Sequence, residues 1–125
     1  MARRRILVVD DEDDVREVTS LSLELIKGWQ VRTCSCGEEA IRAAAEELPD
    51  AIVLDVMMPG LDGPATLEAL RRDARTSAIP VIFVTAKAQP AEKRRLSELS
   101  VRGVIAKPFD PLTLAHQIAE LLSWN

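Results

Sequence analysis

Asp10, Asp11, Asp55, Thr85 and Lys107 are the residues whose types and settings could do chemistry together. Each stands at the end of a short apolar run: Ile6 to Val9 ends in Asp10-Asp11, Ala51 to Leu54 in Asp55, Val81 to Val84 in Thr85, and Gly103 to Ala106 in Lys107. Short runs of this kind between turn residues read as strands buried on both faces. In a parallel sheet the carboxyl ends of such strands share one rim, where open α/β folds place their ligands. Three carboxylates gathered there repel one another, so the site must raise a pKa or hold a cation. With only oxygen donors and no imidazole or thiolate to complete a softer site, Mg²⁺ with retained waters fits best. A divalent ion on one side and an ammonium on the other suit a phosphoryl group in transfer, and a strand-end carboxylate is a competent nucleophile towards it.

The elements that must position these residues follow in order along the chain. From Val15 onward a helical period places Val18, Leu21, Leu25 and Ile26 on one face, with Asp13 or Asp14 suited to the N-cap and Gly28 to the stop. Gln30 to Cys34 alternates and is short, as expected of a strand near the sheet edge. A second helix opens at Gly37 and runs through Glu47, with Ile41, Ala44 and Leu48 inward. A third begins near Pro64 and uses Leu67, Leu70 and Ala74. Pro90 to Leu99 makes a fourth helix with little apolar surface beyond Leu96 and Leu99. The last starts near Pro111, packs Leu112, Ala115, Ile118, Ala119 and Leu122, and leaves Trp124-Asn125 as a tail. Five strands alternating with five helices specify one α/β domain over residues 1–125, a doubly wound parallel sheet with helices on both faces.

Composition narrows the remaining classes. A chain of 125 residues, 47% hydrophobic, builds one core and one site. Sixteen basic against 20 acidic side chains give a net charge of -4, which argues against direct nucleic-acid binding or an anionic membrane as the main partner. The opening MARRRILVVDDEDD has too short an apolar segment for a signal peptide or anchor, so a cytoplasmic location is expected. Arg3, Arg4 and Arg5 read as a solubilising terminus, and Arg71, Arg72 and Arg75 as a solvated helix face. Cys34 and Cys36 are too close for an ordinary structural disulfide and read as reduced thiols, while His116 reads as a solvated helix residue.

At ILVVDDE, AIVLDVMMPGLDG, VIFVTAKA and IAKPFDPLTL the chain resembles, over its full length, the receiver domain of two-component response regulators. That resemblance implies a flavodoxin-like (βα)5 fold with strand order 2-1-3-4-5. It implies that Asp55 is the phosphoacceptor for a histidine kinase or histidine phosphotransfer protein, and that the domain assists its own phosphorylation rather than turning over an external substrate. Asp10, Asp11, Asp55 and the backbone carbonyl of Met57 would hold Mg²⁺, Thr85 would contact a phosphoryl oxygen, and Lys107 would pair with the phosphoryl group, beside a cis bond to Pro108. Partners are expected at the rim and on the last two helices, and the chain as a monomer or weak dimer.

Three positions set expectations of their own. Val104 stands where receivers often carry Tyr or Phe, so the signal is expected to travel through the loop after Thr85 and the Pro90 to Leu99 helix. Met57 and Lys87 occupy places that in the family often orient or block a hydrolytic water, and neither is suited to orienting it, which predicts slow loss of phosphate. Crowding of the three aspartates predicts that Asp11→Asn stabilises the metal-free protein. A phosphatase of the haloacid-dehalogenase type would carry a second Asp where Met57 stands, and a flavin module would not place an acidic loop after its first strand. A receiver used only as a docking surface is the remaining alternative.

Overall fold

The computed structural model describes residues 3–124; the expected tail residue Asn125, with Met1 and Ala2, lies outside the described residues. The elements are β1 (Arg5–Val9), α1 (Asp13–Lys27), β2 (Gln30–Cys34), α2 (Gly37–Glu47), β3 (Ala51–Asp55), α3 (Gly63–Arg72), β4 (Val81–Thr85), α4 (Pro90–Ser97), β5 (Gly103–Ala106) and α5 (Leu114–Leu121). All strand pairs are parallel, in the order β2-β1-β3-β4-β5. This is the flavodoxin-like arrangement expected from the sequence.

Side chains alternate across the sheet with a period of two, and the two faces build two cores. Leu7, Val9, Ile52, Leu54, Val81 and Phe83 face α2, α3 and α4, while Ile6, Val8, Val53, Ile82, Val84 and Ile105 face α1 and α5. The register sets Val9 beside Leu54, Asp55 beside Val84 and Thr85 beside Ala106, so the strand ends line up at one rim.

Four details differ from the periodic reading. On α1 the buried residues are Thr19, Ser22 and Leu23, whereas Val18, Leu21 and Leu25 are exposed, Leu25 by 81%. The helix is rotated because Ser22 is satisfied by donating its hydroxyl to the Pro111 carbonyl, which lets a polar residue sit inward against the α5 side. Its N-cap is Glu12, without a side-chain cap; the acid that acts locally is Asp10, whose Oδ1 accepts the Glu12 N–H at 2.9 Å. The chain turns at residues 111–113 before α5 begins, because Asp110 collects the N–H groups of Leu112, Thr113 and Leu114; Leu112 is thereby left 75% exposed and Leu114 is buried in its place. Leu48 ends α2 in the left-handed conformation and is exposed, and Ala74 lies exposed beyond α3.

Four of the six arginines expected as solvated charge also act as staples, and Arg72 and Arg75 remain solvated. Arg3 donates to the carbonyls of Gly28 and Trp29, Arg5 to those of Glu47 and Leu48, and the Arg4 guanidinium lies 4.3 Å from the centre of the Trp124 ring, itself edge-on to Trp29. Three consecutive residues thus fasten the ends of α1, α2 and α5 below the sheet. Arg72 pairs with Glu68 and Arg75 with Asp73, both on the surface. Arg71, half-buried, donates to the carbonyls of Ser77, Ile79 and Ser100. Charge-assisted bonds to otherwise unpaired carbonyls outweigh surface ion pairs. Arg71→Ala is therefore expected to lose about 2 kcal/mol in urea unfolding and Arg72→Ala less than about 0.5. Equal losses would refute the staple.

Candidate functional site

Asp10 and Asp55, each 3% exposed, and Thr85, 1% exposed, stand at the ends of β1, β3 and β4, where buried strands deliver polar side chains into one cleft. Asp10 is held at four points. Its N–H donates to the Cys34 carbonyl (3.1 Å), its carbonyl accepts from Arg16 (2.7 Å), its Oδ1 accepts the Glu12 N–H, and its Oδ2 accepts from Lys107 Nζ at 2.7 Å. A carboxylate so constrained cannot swing away when its neighbours change.

Lys107 reaches in from the end of β5, anchored by its N–H to the Thr85 carbonyl at 2.8 Å, and its bond to Pro108 is cis. Beyond Asp10, its ammonium lies 3.5 Å from Asp55 Oδ1 and 3.9 Å from Glu12 Oε1. Burial works against the charged form of Lys107, but the hydrogen bond to Asp10 and the charges of Asp55, Asp10 and Glu12 outweigh it, so its pKa is raised. Asp55 is pushed up to about 6, chiefly by burial and then by the charge of Asp10, against the opposing pull of Lys107 and the Met57 backbone N–H. The repulsion thus falls on Asp55. Asp11 is exposed at the edge of the same cluster.

Oxygens of Asp10, Asp11 and Asp55 all lie within 4.8 Å of one another. This all-oxygen donor set fits a hard divalent cation. Thr85 Oγ1 accepts the Lys87 N–H at 3.0 Å, which orients a buried hydroxyl at the same rim. Met57 follows Asp55 in the loop with its side chain exposed, consistent with a position where only the backbone would be used. All six residues singled out from the sequence therefore lie on or beside one cleft.

The sequence reading missed three contributors. Arg16, one turn into α1, holds the Asp10 carbonyl; Glu12 faces Lys107; and Gly63 opens α3 against the backbone of Asp55. The acidic run before α1 gave some signal for Glu12, whereas the other two depend on contacts between elements. Cys34 takes no part: burial, with Glu39 nearby, pushes its thiol up to about 12, and both cysteines are free.

The family model for the response regulator receiver domain matches residues 6–119. The chain is 40% identical over 120 residues to the probable transcriptional regulator ycf27 of Cyanophora paradoxa, covering 96% of this chain and 48% of that protein. It is 39% identical to protein PilH of Pseudomonas aeruginosa, covering 95% and 98%. Among solved structures, chemotaxis protein CheY4 of Vibrio cholerae superposes with a TM-score of 0.88 at 29% identity, covering 96% of this chain and 99% of that one. The chain spans about half the length of the ycf27 proteins and nearly all of PilH. No helix among the described residues is long and apolar enough to cross a membrane. With the family match spanning the sheet and all of its strand-end residues, the chain belongs to the response regulator receiver domains of two-component signalling.

Proposed function

We propose that Asp55 accepts a phosphoryl group from a phosphohistidine of a histidine kinase or phosphotransfer protein, in a Mg²⁺-dependent reaction that switches partner binding. The observation that carries this reading is the meeting of Lys107 with Asp10 and Asp55 at the rim, 2.7 and 3.5 Å from its ammonium. Asp55, with a pKa near 6, is ionised at neutral pH. One of its carboxylate oxygens attacks phosphorus in line; the P–N bond breaks, and its electron pair stays on the departing imidazole nitrogen. The product is an aspartyl phosphate. Asp10, Asp11, Asp55 and the Met57 carbonyl would hold Mg²⁺, which supplies neutralisation of charge on the phosphoryl oxygens. Thr85 donates its hydroxyl to one phosphoryl oxygen, and Lys107 balances the charge of another.

Residues 1–125 act in this reading as one receiver unit in the cytoplasm, a signalling switch rather than an enzyme of external substrates. Exposed Val18 of α1 lines one depression with Glu12, Val15 and Lys107, which offers the donor an apolar surface beside the rim. Output runs through the loop after Thr85 and α4, which has Leu96 as its one buried residue. With Met57 and Lys87 beside the cleft, no acid or amide stands ready to orient a hydrolytic water from those positions, and the phosphate is lost slowly.

Intact mass after incubation with Mg²⁺ and acetyl phosphate tests the reading. One phosphoryl adduct is expected on wild type, labile to hydroxylamine and missing from Asp55→Asn. After removal of the donor, Met57→Asn should lose the adduct faster than wild type. An adduct that persists in Asp55→Asn refutes the assignment, and continuous release of phosphate from many donors marks a phosphatase.

A further inference from the structure

We propose that Gly63 is a positioning residue for phosphoryl transfer, pinning the backbone that carries Asp55; this rests on the reading of Asp55 as the phosphoacceptor. Gly63 is the first residue of α3, and its φ does not demand glycine. What it lacks is space. A Cβ built on Gly63 would stand 2.7 Å from Val56 Cα and 2.8 Å from the Asp55 carbonyl oxygen. Both are backbone atoms, which cannot turn aside as the tip of a flexible side chain can.

The same residue closes the loop that follows β3. The Gly63 N–H donates to the Val56 carbonyl at 2.9 Å, so residues 56–63 leave the strand and return to it. The far side of the loop is equally fixed. Asp62 caps α3 by accepting the Ala65 N–H at 2.9 Å, and buried Thr66 donates its hydroxyl to the Asp62 carbonyl at 2.8 Å. Behind Thr66 and Leu61 lies Gly37, the first residue of α2, where a Cβ would press on both side chains. Two glycines thus let α2, α3 and the end of β3 close on one another.

A methyl group on Gly63 must open its contact with Val56 from 2.7 Å to the 3.4 Å of ordinary packing, a movement of about 0.7 Å. Because α3 is packed against α2 where Thr66 and Leu61 meet Gly37, the movement passes to Asp55 and Met57. Displacements near 1 Å cost reactions that rely on alignment up to about 100-fold.

The experiment compares wild type, Gly63→Ala and Gly28→Ala. Gly28 has φ +69 with nothing within 4 Å, and it ends α1 away from the rim; alanine there strains the backbone without touching the cleft. Mg²⁺ affinity by calorimetry and the rate of adduct formation from acetyl phosphate at saturating Mg²⁺ are read beside the melting temperature. Gly63→Ala is expected to bind Mg²⁺ about five-fold more weakly and to react at least about ten-fold more slowly, with the half-saturating donor concentration unchanged. Gly28→Ala should melt lower yet keep both values. Gly63→Ala within two-fold of wild type, or equal losses in Gly28→Ala, overturns the proposal. If Gly63→Ala does not fold, Gly37→Ala decides: losses in the same direction support the pinning, and wild-type values overturn it. A wild type that takes up no phosphoryl group overturns the phosphoacceptor reading, and this proposal with it.

Discussion

Lys107→Ala is expected to cost the metal-free protein about 3 kcal/mol, and most of that loss should return on adding Mg²⁺. The ammonium is the cation that lies between Asp10 and Asp55 in the structure, and its removal leaves two buried carboxylates facing each other without compensation. Losing one partner of a buried pair leaves the other's desolvation unbalanced, which is why such losses exceed those at surface pairs. A divalent ion bound by the same acids replaces the missing charge, and it stabilises the folded state by mass action. Lys107→Met retains much of the apolar stem and separates lost packing from lost charge. Urea unfolding in EDTA and in Mg²⁺ is the measurement. A loss below about 1 kcal/mol in EDTA, or the same loss in both buffers, would show that the ammonium does not hold the acids together.

The opposite sign is expected at Asp55. In EDTA at pH 7.5, Asp55→Asn should be more stable than wild type by on the order of 2 kcal/mol. The folded-state pKa of about 6 lies above the ordinary carboxylate value of 3.8, so the native protein binds more protons than the unfolded chain between those values. Wild-type stability from this group therefore falls as pH rises from about 4 to about 6 and is level above. The groups facing Asp55 are Asp10 from the end of β1, with Asp11 beside it, and Lys107 from the end of β5. The attraction of Lys107 is included in the net upward shift. Asparagine removes the titration, so the difference between the two proteins should close below pH 4 and open through pH 6. A difference independent of pH would place its origin in packing rather than charge.

These opposed signs at two residues 3.5 Å apart follow from burial. The cleft holds more negative charge than one ammonium balances, so removing the cation worsens the imbalance and removing an anion relieves it. Stability is given up at the site that a bound cation and a phosphoryl group would share.

Much of this cleft was legible in one dimension. A buried parallel strand is a short apolar run, its end is marked by the first polar residue, and parallel ends share a rim; Asp10, Asp55, Thr85 and Lys107 therefore group from the sequence alone. Strand order came from the resemblance, and the register then confirmed which ends are neighbours. Helix orientation was less legible. The apolar period of α1 selected Val18, Leu21 and Leu25, but Leu23 and the hydroxyl of Ser22 won the inward face, since a satisfied polar group carries little penalty when buried. The bonds of Arg3, Arg5 and Arg71 were hidden because their partners are carbonyls at the ends of distant elements. The tightness at Gly63 was hidden for the same reason: glycine there answers not to its own φ but to the Asp55 carbonyl oxygen 2.8 Å from where a side chain would begin. Periodicity and strand ends are properties of neighbours along the chain, and the sequence by itself determined them. Which helix face turns inward, which charges become staples and how closely α3 presses on Asp55 are distances between residues remote in sequence, and only the folded structure decided those.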